Sequence, residues 1–421
     1  MNLLNSRTYI SLSTSLLTIK HTWKLRWVFF LASISTVLSI PIIAKDGFGV
    51  GPAIGVGAFG FAISIASIVV ELRKIKANND RLLFVPSPIF DHPDLSLSPW
   101  LERNGYSLHG KEAGMTVQSD SVNKYLAAGG DAGFNISKNY WKATQEITLD
   151  WRSKLLSEAR GLNRIVFDSK KIRLVEDLQM TSNGELKVVE FQPTRYLEGF
   201  WTNEIASRDL KADSRTIFHG HTLFLHDDVV SPLEHSDCAN FLGVSTLLIG
   251  NGSLLPLVRQ SARSAQSASL AAPSGSGSVD LEDIHPGDKT LGQIICRGAE
   301  REMREEMGLA DDVQIKSQMI GFSRTMSRGG KPEFFCVSWL ESRNEKIELS
   351  KVEKLFTHHA DGIPVDWGQA PAEIAAHLLK VSASNRATYS YPLQWALELF
   401  AEALVSAPES APFRQALKIH Q

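Results

Sequence analysis

From Phe48 to Val70 the chain carries no charged side chain. An uncharged run of that length can form a helix long enough to cross about 30 Å of hydrocarbon. A second uncharged stretch, Val28 to Ala44, contains Ser and Thr, whose hydroxyls can bond their own helix backbone. Only Lys45, Asp46 and Gly47 separate the two, so the expectation is a tight transmembrane hairpin with spans at about residues 27–44 and 48–70. A cleaved signal peptide is the competing reading; the long segment before the first run and the lack of a small-x-small site before Lys45 count against it. Lys20, Lys24 and Arg26 precede the hairpin and Arg73, Lys74 and Lys76 follow it. The positive-inside bias then places both termini in the cytoplasm of a multi-pass inner-membrane protein. Gly51 and Gly55 put two small residues on one face of the second span, which permits close packing in a lipid bilayer, either within the hairpin or between subunits that self-associate.

The remainder of the 421 residues exceeds one ordinary core. Three segments are expected: 1–80 as the hairpin, 81–235 as an α+β extension, and 236–408 as a further domain. A formal net charge of −2 offers no global field for polyanions, so direct DNA binding is not expected and nucleotide recognition would have to be local. Three cysteines, far apart and outside any CxxC pattern, argue against a disulfide framework or a zinc-thiolate site. In the middle segment, helical periodicity runs from Trp141 to Ala159, and Ile172–Leu178 and Glu185–Phe191 read as strands around a turn at Ser182–Gly184. His219, His221 and His226, with Asp227 and Asp228, suggest a metal, but His-x-His in an alternating segment reads more simply as polar side chains on a strand.

From Leu242 to Arg259 the pattern is strand, Asn-Gly turn, strand. The Ser/Ala/Gly-rich stretch Ser261–Ser278 reads as loop, and a helix follows from near Gln293 to Gly308, a natural stop. On that helix Glu302, Glu305 and Glu306 stand at i, i+3 and i+4 and share a face. Their repulsion would be relieved by a divalent cation, Mg²⁺ or Mn²⁺, which suits hard oxygen ligands. Arg301 can pair with a neighbouring carboxylate. On charge spacing alone, a solvated helix laced by Arg297, Arg301 and Arg304 is the favoured reading.

The complete arrangement resembles the Nudix hydrolase family, whose box reads G-x5-E-x7-R-E-U-x-E-E-x-G-U, where U is a bulky aliphatic. Gly287 fits the first glycine, and Arg301 through Leu309, including Gly308, fits the second half. The resemblance implies an α/β/α sandwich and a metal-binding helix that hydrolyses nucleoside diphosphates linked to another group, with metal-activated water. Gln293 stands where the family has glutamate, so no catalytic residue is assigned and a non-hydrolysing sensor is favoured. Outside the box, Arg259, Arg324, Arg328 and Lys331 are candidates for phosphate, and Phe322, Tyr389 and Tyr391 for stacking a base.

A two-span hairpin joined to such a domain is similar to the 2TM–Nudix effectors of CBASS, the cyclic-oligonucleotide antiphage systems. That resemblance implies a cyclic-nucleotide second messenger as partner and a bilayer-disrupting output. The alternative is a membrane-tethered Nudix hydrolase acting on a nucleoside diphosphate conjugate. The expected fold class is therefore α+β, with an N-terminal two-helix transmembrane hairpin.

Overall fold

The computed structural model describes Val70 and residues 73–74, 76–77, 79–91, 95–110, 114–162, 168–250, 253–261, 267–340 and 357–420. It divides into two compact units: residues 1–85, 145–166 and 210–218 in the smaller, and 86–144, 167–209 and 219–421 in the larger. In the smaller unit the helix Gln145–Gly161 buries Trp151, whose ring lies 4.4 Å from that of Phe218, and Ser153 donates to Asn79 at 2.9 Å.

The larger unit is organised by a six-stranded sheet. Its strands run in the order Gly275–Ser278, Gly243–Ile249, Lys331–Leu340, Ile315–Thr325, Thr116–Ser119 and Tyr106–His109. Gly243–Ile249 is parallel to Lys331–Leu340, and the other pairings are antiparallel. The outer strands Tyr106–His109 and Thr116–Ser119 come from early in the chain, so residues far apart in sequence share one sheet. Gly243–Ile249 is buried along its whole length, as expected of a strand covered on both faces.

Alternation distributes its side chains between two cores. Leu247 and Ile249, with Phe335 and Val337, pack with Leu393, Ala396, Leu397 and Phe400 of the helix Tyr391–Ser406. Leu248 faces the other way, toward Met303, Met307, Leu309 and Val313. Two helices thus cover opposite faces, and the one bearing Met303 also bears the three glutamates.

That helix spans Leu291–Met307. Thr290 and Gln293 form a capping box at its start, and Gly308 ends it in the left-handed conformation at φ 64°, which costs glycine little. Leu291, Ile294, Ile295, Ala299, Met303 and Met307 are buried along one stripe. The helix lies unusually close to the edge strand Gly275–Ser278, because a Cβ on Gly275 would sit 2.5 Å from the Met303 Cα and 2.6 Å from its nitrogen.

Several sequence expectations are corrected. The stretch Ser261–Ser278 contains strands at Ala271–Ala272 and Gly275–Ser278. Gly243–Ile249 and Leu254–Gln260 are both strands, but they belong to different sheets; the latter joins Ala271–Ala272 and Thr357–Pro364, with a bulge between Leu255 and Leu257. The fold is mixed α/β rather than α+β with a membrane hairpin. Among the described residues no helix is long and apolar enough to cross a membrane. The helices Gln145–Gly161 and Leu291–Met307 have 17 residues each, or roughly 25 Å at 1.5 Å per residue, and both are charged. The expected spans at about residues 27–44 and 48–70, with the Gly51 and Gly55 face, lie outside the described residues apart from Val70. The multi-pass inner-membrane placement is therefore not supported by the described residues.

The Gly275 contact is with backbone and cannot be relieved by a rotamer change. Gly275→Ala should lower unfolding free energy by about 1–3 kcal/mol, the usual cost of overpacking, measured by chemical denaturation. An unchanged midpoint would show that the strand and helix are not held together as described.

Candidate functional site

Arg301 is the hub of the glutamate helix. Its Nε donates to Asp283 Oδ1 and its Nη2 to Asp283 Oδ2, both at 3.0 Å, a bidentate grip that fixes the guanidinium plane. Nη2 also donates to the Ser278 carbonyl at 3.0 Å, and Nη1 reaches Glu302 Oε1 at 2.8 Å and Glu305 Oε2 at 3.5 Å. Asp280 Oδ2 stands 3.5 Å away, and Asp280 is itself paired with the buried Lys171. Burial opposes the Arg301 charge, but Asp283, Glu302 and Asp280 outweigh it and hold the guanidinium well above its usual range.

The glutamates differ in what they do. Glu306 is buried; its Oε2 accepts from the Ser276 backbone nitrogen at 2.8 Å and its Oε1 from Gln260 Nε2 at 3.1 Å. Glu302 accepts from the Ser278 nitrogen at 3.3 Å, and a Cβ on Gly277 would meet its carboxylate at 2.1–2.2 Å. Two of the three carboxylates are therefore engaged by the edge strand. Glu305 is about half exposed; burial, then Glu302, raises its pKa against the pull of Arg301. Among the described residues, the oxygens of these three are not a group lying mutually within 4.8 Å.

Gln293 is occupied as well. Its Oε1 accepts from the backbone nitrogens of Lys289 at 2.7 Å and Thr290 at 3.1 Å, which makes it the helix cap. The carboxylate that grips Arg301 comes instead from Asp283. Its signal was present as Asp280-x-x-Asp283, an aspartate capping box. Gly287 has a φ of 98° and lies in open space, a turn residue before the helix.

The other candidates are scattered. Arg324 is fully buried and donates to both Asp177 oxygens, at 3.0 and 3.1 Å, and to Ser231 and Gly330 carbonyls. Phe322 is also buried, its ring 5.0 Å from that of Phe334. Arg328 pairs with Glu204 at 2.7 Å, and Arg259 is exposed and donates to the Ser269 carbonyl. Lys331 is buried, its nitrogen 5.0 Å from the centre of the Phe241 ring. Burial, reinforced by Arg328, lowers its pKa to about 7. Arg324, Arg328 and Arg259 are thus each held by acceptors within the protein.

A cavity of about 710 Å³ lies beside the helix Tyr391–Ser406, on the side of the sheet away from Arg301. Tyr391, Trp395, Arg386, His109, Gln118 and Gln394 line it, with Glu398 and Glu402. Trp395 donates its indole N–H to the Gly114 carbonyl at 3.0 Å, which fixes the ring. The Tyr391 ring packs so closely on Gly114, and the Trp395 ring on Gly110, that a Cβ on either glycine would meet them at 2.7 and 2.9 Å. Burial raises the pKa of both Glu398 and Glu402, with Arg386 opposing the first and His109 the second. Sequence reasoning reached Tyr391 but not Trp395 or Arg386; the signal was the i, i+4 aromatic pair on an otherwise polar helix face.

No protein-family model matches the chain, and no curated protein matches it. Among solved structures, the crystal structure of DR0079 from Deinococcus radiodurans is similar over 39% of this chain and 82% of that one, at 15% identity and a TM-score of 0.23. A likeness at that score carries no argument about fold or function.

Two outcomes are expected. Asp283→Leu leaves Arg301 among fewer partners and should cost about 2–4 kcal/mol, between the values for exposed and fully buried pairs; a loss below about 0.5 kcal/mol in denaturant melts would remove Arg301 as the hub. Lys331 has a folded pKa depressed below that of the unfolded chain. Between about pH 7 and the ordinary lysine value, the unfolded state binds more protons, so stability rises with pH. Lys331→Met should therefore stabilise most at and below about pH 7, with the gain shrinking as pH rises. Parallel wild-type and variant melting curves across that window would contradict the buried-amine assignment.

Proposed function

We propose that the larger unit is a nucleotide receptor on a Nudix-like scaffold, taking a cyclic oligonucleotide of the CBASS type without hydrolysing it. The observation that carries this reading is the cavity beside Tyr391–Ser406. Its volume of about 710 Å³ falls within the roughly 300–1,000 Å³ of small-molecule sites. Tyr391 and Trp395 supply faces on which a base can stack, and Arg386 a fork for a phosphate oxygen. Gln118 and Gln394 supply amides for a base edge, and two carboxyls with raised pKa can accept from its amino groups.

The state of the glutamate helix supports the absence of hydrolysis. Gln293 carries no charge and is committed to capping, and Glu302 and Glu306 hold the edge strand. A cyclic oligonucleotide has isolated phosphodiesters in place of the diphosphate that Nudix chemistry requires. The membrane-disrupting output implied by the CBASS resemblance rests on residues outside those described and forms no part of the proposal. A second reading, hydrolysis of a nucleoside diphosphate conjugate, is favoured by one observation: Glu305 is half exposed with a raised pKa, as a general base would be.

Isothermal titration of the full chain with cyclic di-AMP, cyclic di-GMP and cyclic tri-AMP separates the two. Binding of one of them, weakened at least about tenfold by Arg386→Ala or Trp395→Ala, is the expected result. No binding, together with Mg²⁺-dependent cleavage of ADP-ribose that disappears in Glu305→Gln, would establish the second reading instead.

A further inference from the structure

Away from both of these features, the fold gathers a set of metal-ligand side chains. Asp209 lies on the strand Arg208–Ala212, His219 ends the strand Arg215–His219, and His221 follows within the short turn of helix Gly220–Leu223. One ligand atom from each lies within 4.8 Å of the others. Gly220 brings them there: a Cβ on it would be 1.9 Å from the Ile205 carbonyl oxygen and 2.4 Å from that of Arg208. The backbone between the two histidines is thus pressed onto the segment that leads into Asp209.

Each group is oriented. His219 Nδ1 is 3.2 Å from Asp209 Oδ2. His221 Nδ1 is 3.1 Å from Ser87 Oγ, a contact that sets the ring. Asp209 is 4% exposed, and its Oδ1 is buried without a hydrogen-bond partner. Buried carboxylate oxygens in native proteins are almost always satisfied, and an ion is one of the few explanations for an exception. His219 is half exposed, so solvent reaches the group from one side.

We propose that Asp209, His219 and His221 form a binding site for a divalent first-row transition ion of zinc type, with Ser87 orienting His221 and water completing the coordination. Two imidazoles and one carboxylate match the borderline softness of Zn²⁺ and its preference for four ligands, whereas Mg²⁺ and Ca²⁺ favour all-oxygen sets. Three protein ligands and an open position leave the ion able to polarise a bound water or an incoming oxygen. His226 lies outside the group; its Nε2 is 3.5 Å from the His235 carbonyl.

The test uses the purified full chain, freed of metal by a chelator and titrated with Zn²⁺ and with Co²⁺, whose visible bands report tetrahedral coordination. Wild type should take up one equivalent with these bands. Asp209→Asn and His221→Ala should bind at least about a hundredfold more weakly and lose the bands, and Ser87→Ala should weaken binding about tenfold. His219→Gln, at a half-exposed position, is the variant least prone to misfold and should show the same loss with an unchanged melting temperature in the metal-free state. His226→Ala should bind as wild type does. Retention of full-affinity binding in His219→Gln and Asp209→Asn, or absence of the Co²⁺ bands from wild type, would overturn the assignment.

Discussion

The bidentate pair between Arg301 and Asp283 is the constraint on which the arrangement of the larger unit depends. It ties the helix Leu291–Met307 to the turn Leu281–Asp283 that precedes it. From the same guanidinium, contacts run to the Ser278 carbonyl and to Glu302, so one side chain joins helix, turn and edge strand. An arginine so placed is stable only in company: burial works against its charge, and the ring of Asp283, Glu302 and Asp280 supplies the compensation. The helix can approach the strand this closely because Gly275 and Gly277 present no side chain to it.

That intimacy has a chemical consequence. Carboxylates that accept from Ser276 and Ser278 are held as structural acceptors, worth roughly 1.5–3 kcal/mol each for a charged partner. An edge strand otherwise exposes unpaired backbone nitrogens, and here the helix facing it satisfies two. The glutamate face thus clasps the edge strand, while the cavity beside Tyr391 and Trp395 opens on the other side of the sheet.

Much of the local architecture was legible. The end of the helix Leu291–Met307 followed from Gly308, and the strands Gly243–Ile249 and Leu254–Gln260 from the apolar runs on either side of Asn251-Gly252. Less was legible where the physics is not local. Gly275–Ser278 reads as loop because glycine and serine have poor strand propensity; it is a strand because Gly243–Ile249 pairs with it and the helix needs bare backbone there. Arg324 and Lys331 look like surface cations until the sheet closes around them, after which Asp177, 147 residues away from Arg324 in sequence, becomes the decisive partner. Asp209 gives no hint of a relation to His219 and His221 until Gly220 folds the chain back on it. The expected N-terminal hairpin lies outside the described residues, and among those described no helix is long and apolar enough to cross a membrane.

Glu302 and Glu306 accept from the protein's own backbone, at the nitrogens of Ser278 and Ser276. Melting the full chain with and without saturating Mg²⁺ or Mn²⁺ tests it directly, since any ligand that prefers the native state raises the melting temperature in proportion to its occupancy. The account predicts no shift with either ion and a lower melting temperature for Glu306→Gln in metal-free buffer. A metal-induced rise in wild type that vanishes in Glu306→Gln would contradict it.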